Sequence, residues 1–475
     1  MALKAEPNFR KPFFNRLKAE QILEKVLGKI TPSENEIRAE KKISEEIVQK
    51  LKAAKGKHID VLVCGSIARN THLRGDRDID IFVMFPSHIP VKEFEREGLR
   101  LGIMVFRGHK WEKAYSQHPY IRGNIRGFAV EIVPSYKVER AEMLQSAVDR
   151  SPFHNAYLLS KMTKKQQGEV RLMKQFLKGI KAYGAELKVS SVPGYVTELL
   201  IVKYGNFLDA ISAISKWKER EVVDIEGHLK EEEALKKFDT PLVVVDPVDR
   251  NRNVAAALSL NQYSRIIAAA RAFLRKPSEN FFYPKKSKVL ETAKVKKLVE
   301  KEGLIVVGMG FPKNELADVL WGQIRRLAKK IIGALQQKDF KVLRSAEWSD
   351  ESNEIVFVFD LEANELEKVQ KRIGPSVTNE KHSEEFLKTH RKPISGPRIE
   401  EGRWVVDIGR KHFLATEYIA ELLKQLRKSE KAGIKKALNK KARILGNAEV
   451  MRKYKGNAEF REFFSTYLKG KEEFE

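Results

Sequence analysis

The sequence predicts a multidomain α+β protein: a sheet domain over 1–150, a mostly helical central domain over 151–276, and a mixed α+β domain closing in a helical tail over 277–475. Three observations predict it. The chain has 475 residues, enough for about three domains at ~100–200 residues each. Short apolar runs bounded by turn residues are mixed with helical periodicity in the first and last parts, while the middle reads as helix. Hydrophobic residues make up 42% and charged ones 32%, which supplies apolar material for several cores and argues against wholesale disorder.

The elements follow in order. Thr31-Pro32-Ser33-Glu34 reads as a helix start, with Thr31 as N-cap, Pro32 at the first helical position and Glu34 three residues after the cap. Ile43, Ile47, Val48 and Leu51 give that helix its apolar stripe, and Lys55-Gly56-Lys57 stops it. Ile59–Cys64 and Ile79–Phe85 read as buried strands on either side of a turn at Gly65-Ser66, followed by strands around Gly102–Phe106 and Phe128–Val133. From Pro152 to about Lys276 the pattern is helical: Leu172, Phe176 and Ile180 form one stripe, and Thr197–Trp217 and Asn253–Leu274 follow. Lys276-Pro277-Ser278 marks a boundary. Beyond it come a helix at Lys313–Gln336, a strand at Glu354–Leu361, a helix at Glu362–Arg372, a strand at Trp404–Ile408 and the basic helical tail. Val307-Gly308-Met309-Gly310-Phe311 resembles a dinucleotide-binding loop only superficially, lacks its third glycine, and reads as a turn.

Composition narrows the function. With 90 Lys+Arg against 64 Asp+Glu the chain carries a formal charge of +26, and polyphosphate is the usual partner for such an excess. Lys301, Lys329 and Lys330 alternate with carboxylates as on a solvated surface, but Lys424–Arg443 holds nine basic residues and one acidic one, Glu430. No apolar run approaches the ~18 residues of a membrane span. Met1–Arg16 has charges and prolines where a secretory leader is apolar. Cys64 is the only cysteine, which excludes an internal disulfide and cysteine-based zinc sites. A cytoplasmic protein is expected.

The chemistry concentrates in Gly65-Ser66-Ile67-Ala68-Arg69 and, nine residues after Arg69, Asp78-Ile79-Asp80-Ile81. Residues i and i+2 of a strand share a face, so Asp78 and Asp80 present adjacent carboxylates that repel unless a cation sits between them. Hard oxygen ligands beside substrate phosphates select Mg²⁺, and the Gly-Ser bend offers backbone N–H groups and a hydroxyl for a triphosphate. Glu131, in Val130-Glu131-Ile132-Val133-Pro134, supplies the third carboxylate expected of a two-metal site. Lys174, Lys178 and Lys181 fall at i, i+4 and i+7, opposite the apolar stripe, as either a solvated face or a basic stripe facing triphosphate.

Gly65-Ser66…Asp78-Ile79-Asp80 resembles the signature of the DNA polymerase β-like nucleotidyltransferases. Further segments resemble the archaeal, class I CCA-adding enzymes, the tRNA nucleotidyltransferases: His118–Gly123, Ala147–His154, Glu169–Gly179, Tyr183–Leu187 and Asp246–Ala256, in that order, then more weakly Ile373–Pro375 and Gly402–Val405. The resemblance runs from about Asp60 to Leu423. It implies a polymerase β-like nucleotidyltransferase head, a helical nucleotide-binding middle and a C-terminal RNA-binding domain. It implies Mg²⁺ on Asp78, Asp80 and Glu131, and contacts to incoming CTP or ATP from Ser66, Arg69, His154, Lys174 and Tyr183, with Arg252 near the base. Two departures stand out: the first metal carboxylate, often Glu in the family, is Asp78 here, and the third, usually Asp, is Glu131.

The expected reaction is attack of the tRNA 3′-hydroxyl on the α-phosphorus of CTP or ATP, three times, without a nucleic-acid template. The third domain and tail are expected to hold the tRNA by phosphate contacts. Monomer and homodimer are both compatible with the sequence. The rivals are a poly(A) polymerase or terminal uridylyltransferase on the same catalytic fold, and a non-catalytic RNA-binding relative. Retention of three costly carboxylates argues against the last.

Overall fold

The computed structural model describes residues 15–54, 59–115, 117–184, 186, 188–284, 288–301, 303–313, 315, 317–430, 432–472 and 474. The expected helix stop at Lys55-Gly56-Lys57, positions Ala185 and Leu187, and most of Met1–Arg16 lie outside them. The chain forms two compact units, Met1–Lys285 with Glu473–Glu475, and Lys286–Glu472.

The first unit opens with α1 (Arg16–Ile30) and α2 (Glu34–Lys52). Their junction differs from the sequence expectation by two residues. The Thr31 hydroxyl donates to the Leu27 carbonyl at 2.7 Å and so closes α1. Ser33 is the N-cap of α2, and Glu36 completes the capping box by accepting from the Ser33 N–H at 2.7 Å. A five-stranded sheet follows, built from β1 (Asp60–Cys64), β2 (Asp78–Pro86), β3 (Trp111–Tyr115), β4 (Pro119–Ile125) and β5 (Phe128–Lys137) in the order β1-β2-β5-β4-β3. Only β2 and β5 are parallel. The expected turn at Gly65-Ser66 is a single helical turn, α3 (Gly65–Ala68).

Strand alternation sorts the two faces. Ile79, Ile81, Val83 and Phe85 of β2 and Val130 and Ile132 of β5 are buried against Ile43, Ile47 and Leu51 of α2. Phe94, Leu101 and Val105 of α4 (Val91–Val105) fill the same core. The strand expected at Gly102–Phe106 is therefore the last turn of a helix. Gly98 and Gly102 disguised it: a Cβ at either would meet Pro134 or Ile121 at 2.7 Å, so glycine lets α4 lie close on the sheet instead of ending the helix.

The rest of the unit is a helical layer of α5 (Arg150–Lys161), α6 (Lys164–Gly179), α7 (Gly194–Tyr204), α8 (Phe207–Ile214), α9 (Glu231–Lys237) and α10 (Leu260–Arg275). Thr197–Trp217 is thus two helices, parted at Gly205, whose φ of +90° suits glycine. The middle is not all helix: β6 (Glu221–Val223), β7 (Leu242–Asp246) and β8 (Asp249–Asn253) form a small sheet in that order. Asn253 ends β8 rather than starting a helix. Phe176, Phe207, Phe273, Phe281 and Phe282 pack at ring separations of 5.4–6.0 Å in this core.

The second unit holds α11 (Thr292–Val299), β9 (Leu304–Gly310), α12 (Ala317–Gln336), β10 (Val342–Ser349) and β11 (Glu354–Leu361). Then come β12 (Val369–Ser376), α13 (Glu380–Thr389), β13 (Ser395–Glu400), β14 (Arg403–Gly409) and α14 (Ala415–Ser429). The basic tail is α15 (Ala432–Asn439), β15 (Arg443–Ile444), α16 (Asn447–Gly456) and α17 (Ala458–Lys469). One sheet runs β10-β11-β9-β15 and another β12-β14-β13. The turn expected at Val307–Phe311 lies mostly within β9, because Gly308 and Gly310 leave room for Leu445 and Lys440 to lie on the strand. The helix expected at Glu362–Arg372 is instead a non-helical lead into β12, an edge strand with Val369, Lys371, Arg372 and Ile373 exposed.

Candidate active site

All nine residues singled out in the sequence fall in the first unit. Asp78 and Asp80 stand two apart on β2, and parallel pairing sets Asp80 beside Glu131 and Asp78 beside Ala129. The neighbours Ile79, Ile81, Val130 and Ile132 take the core face, so the three carboxylates share the other. Burial pushes Asp80 up to about 7, and the charges of Glu131 and Asp78 add to it. Asp78 is raised by burial and by Asp76. Glu131 is raised by burial and by Asp78, against the opposing pull of Arg122 and the Tyr120 hydroxyl. Three hard-oxygen donors that burial and mutual repulsion drive toward neutrality form a site short of positive charge, which fits a divalent cation. Among the described residues, no group of three or more His, Cys, Asp or Glu side chains is placed so as to hold a metal ion without rearrangement, these three included.

The Gly-Ser bend meets this face directly. Cys64 pairs with Asp80 across β1 and β2, and Gly65 follows with a φ of +76°. A Cβ at residue 65 would run into the Asp80 carboxylate. Ser66 occupies the second position of α3, half-buried, and its carbonyl accepts from the Thr71 N–H at 2.8 Å.

Two cationic clusters adjoin the bend, each organised by a buried carboxylate. In the first, Glu198 of α7 is fully buried and accepts from Arg69 through Nε at 3.1 Å and Nη2 at 2.8 Å. The third guanidinium nitrogen donates to Asn155 at 2.9 Å. The Thr71 hydroxyl also donates to Glu198. Lys174 Nζ lies 3.8 Å from Glu198 and donates to the Thr71 carbonyl at 3.1 Å. Burial works to raise Glu198, but the charges of Lys174 and Arg69 with their hydrogen bonds outweigh it and hold the carboxyl below its usual range. Burial pulls Lys174 down to about 8 despite Glu198. Lys174 is thus neither a solvated face nor opposite the buried stripe: Val170, Met173, Lys174 and Leu177 are all inside.

In the second cluster, Asp246 ends β7 fully buried. His154 Nε2 stands 2.8 Å from Asp246 Oδ2, and Arg252 Nη1 donates to the same oxygen at 2.8 Å. The His154 ring stacks on Tyr195 with centroids 4.0 Å apart. Burial tends to raise Asp246, but His154, Arg252 and the Val248 N–H hold it low. Helix α5 joins the clusters, since consecutive residues His154 and Asn155 serve Asp246 and Arg69. Tyr183 lies under Lys178, whose Nζ sits 5.5 Å from the ring centroid, and Lys178 pairs with Asp76 at 3.2 Å. Burial raises the Tyr183 hydroxyl well above its usual range.

Sequence reasoning missed Glu198, Asn155, Thr71 and Tyr195. Glu198 left a signal: it is an acid in Val196-Thr197-Glu198-Leu199-Leu200-Ile201, an otherwise apolar helix with every one of these residues buried.

Three family models match the chain: a nucleotidyltransferase domain over 40–154, the second domain of tRNA nucleotidyltransferase over 168–283, and the C-terminal domain of CCA-adding enzymes over 302–447. Nucleotidyltransferases of this kind generally use divalent metal ions. The CCA-adding enzyme of Methanothermobacter thermautotrophicus is 36% identical over 84% of this chain and 87% of its own. That of Archaeoglobus fulgidus is 37% identical over 82% and 86%, and that of Methanosarcina mazei 35% identical over 90% and 94%. A solved cytoplasmic RNA terminal U-transferase overlays on 56% of this chain and 98% of its own at 15% identity and a TM-score of 0.44, too distant to bear on activity. The likeness to the named enzymes spans both units, and the chain belongs to the CCA-adding enzyme family of tRNA nucleotidyltransferases.

Proposed function

We propose that this protein adds C, C and A to the 3′ end of tRNA, taking CTP and ATP, releasing pyrophosphate and needing no nucleic-acid template. The observation that carries the reading is the common face of Asp78, Asp80 and Glu131 at a glycine bend beside two cationic clusters. The named relatives support tRNA, CTP and ATP as substrates.

Asp78, Asp80 and Glu131 would hold Mg²⁺, which when bound activates the 3′-hydroxyl and offsets charge on the triphosphate. The chain's own residues do the rest. Ser66 offers a hydroxyl to a phosphate oxygen, while Arg69 and Lys174 balance the charge that builds on the leaving pyrophosphate. Arg252 and His154, oriented by Asp246, border the base, and Tyr183 borders the nucleotide. In the division of labour, 1–150 carries catalysis, 151–276 the nucleotide, and 277–475 with its basic tail the tRNA. The reading keeps the expected cytoplasmic location, and no helix among the described residues is long and apolar enough to cross a membrane.

Incubation with tRNA lacking its last three nucleotides tests the reading. The expected product is longer by C, C and A and requires both CTP and ATP. A homopolymer tail, or extension indifferent to CTP, overturns it.

A further inference from the structure

We propose that Glu198 is the positioning residue of the triphosphate site, setting nucleotide affinity through Arg69 and Lys174 without touching the nucleotide. The proposal rests on the nucleotidyltransferase reading above and adds a residue that no comparison singles out.

The argument starts from cost. A carboxylate with no exposed surface in the middle of an apolar helix is tolerated only when its charge and lone pairs are met. Glu198 is met from three directions: the Arg69 guanidinium through two nitrogens, the Thr71 hydroxyl, and the Lys174 ammonium. The two cations reach it from different elements, Arg69 from the end of α3 and Lys174 from α6. Asn155 and Thr71 each hold one of the two long cationic side chains, but Glu198 meets both and so offsets the repulsion between them. With it, the rotamer freedom of both is lost on folding rather than on binding. Two positive charges against one negative leave the cluster with a surplus of one positive charge, the sign a triphosphate requires. Asp76 and Lys178, the other charged groups that influence Lys174, pair with each other at 3.2 Å and leave that surplus intact.

Two roles for Glu198 predict opposite signs. If it merely cancelled charge, removing its charge would strengthen binding of a polyanion. If it positions Arg69 and Lys174, removal weakens binding. Glu198→Gln retains the shape but turns an N–H group toward the guanidinium. The expected result is a KM for CTP and for ATP raised together by about tenfold, as for a misplaced binding group, with kcat lowered alongside because the same two cations meet the leaving pyrophosphate, and with the KM for tRNA within about twofold. CTP titrated calorimetrically onto the tRNA-free protein should weaken by the same factor. Glu198→Asp retains the charge one methylene short of bridging both cations and should give a smaller rise in the same direction. If Glu198→Gln does not fold, as judged by its melting curve, Glu198→Asp decides alone. An unchanged or lowered nucleotide KM in a folded variant overturns the proposal while wild-type extension leaves the enzyme reading standing. A wild-type protein that extends no tRNA removes that reading and this one with it.

Discussion

The carboxylate face of the sheet and the Glu198 cluster of the helical layer are both buried charge systems, yet they are balanced in opposite ways. On the sheet, Asp78, Asp80 and Glu131 repel one another, and all three are shifted toward neutrality. Around Glu198, cations and hydrogen bonds pull the carboxyl below its usual range in spite of burial. The first region is incomplete until a cation arrives; the second is complete in the protein alone. An active site can therefore store its unmet charge in one place and its rigidity in another, and the two respond differently to the same kind of substitution.

Asp80→Asn should have the largest effect. Activity on truncated tRNA should fall by roughly 10³-fold or more, the scale of a lost metal site, while the metal-free protein melts no lower than wild type, because repulsion is relieved. A lower melting temperature would show that the face is not frustrated. Glu198→Ala should do the reverse in stability, costing about 3–5 kcal/mol by leaving Arg69 and Lys174 buried without their counter-charge, as read by denaturant unfolding.

The pH dependence of the cluster is smaller. Lys174, pulled down to about 8, is charged below that value, so nucleotide affinity should be full near pH 7 and decline as pH rises through about 8. Replacing Lys174 by Met should remove that alkaline loss from CTP titrations, along with much of the affinity. A third buried pair gives the smallest effect. His72 and Glu40, almost without exposure, stand 2.9 Å apart, a distance that suits an ion pair. Burial instead lifts Glu40 to about 7 and lowers His72 to about 4, so the pair is neutral in mildly acidic solution. A raised carboxyl contributes stability below its unfolded value and loses it as pH climbs through the folded one. Glu40→Gln should therefore stabilise by roughly 1–2 kcal/mol at pH 8 and hardly at pH 5, a difference that thermal melts at the two values will measure.

Much of this was legible in the sequence wherever one local pattern settled the matter. Asp78-Ile79-Asp80 pointed to a strand with paired carboxylates because it stands in order after the Gly65-Ser66 bend and opens an apolar run, where residues two apart share a face. Glu131 needed only a second such strand. The Glu198 and Asp246 clusters were not legible, because their members lie on α3, α5, α6 and α7 and on β7 and β8, and nothing local records that these meet. Two of the misread elements share one cause. Gly98 and Gly102 in α4, and Gly308 and Gly310 in β9, look like breaks in the chain but serve close packing. Lys174 was placed on the wrong side of α6 because a lysine that ends in a buried carboxylate has the same letter as one that ends in water.

Gly65 carries a consequence beyond its place beside Asp80. The bend demands a backbone conformation open mainly to glycine, and the space in front of it is already taken by an acid group on the neighbouring strand. Either constraint alone leaves an escape, by asparagine for the first or by a rotated acid for the second. Together they tie the bend to the carboxylate, so that any side chain added at position 65 should displace the Asp80 acid group along with the backbone, and a single hydrogen atom there keeps the metal face in place.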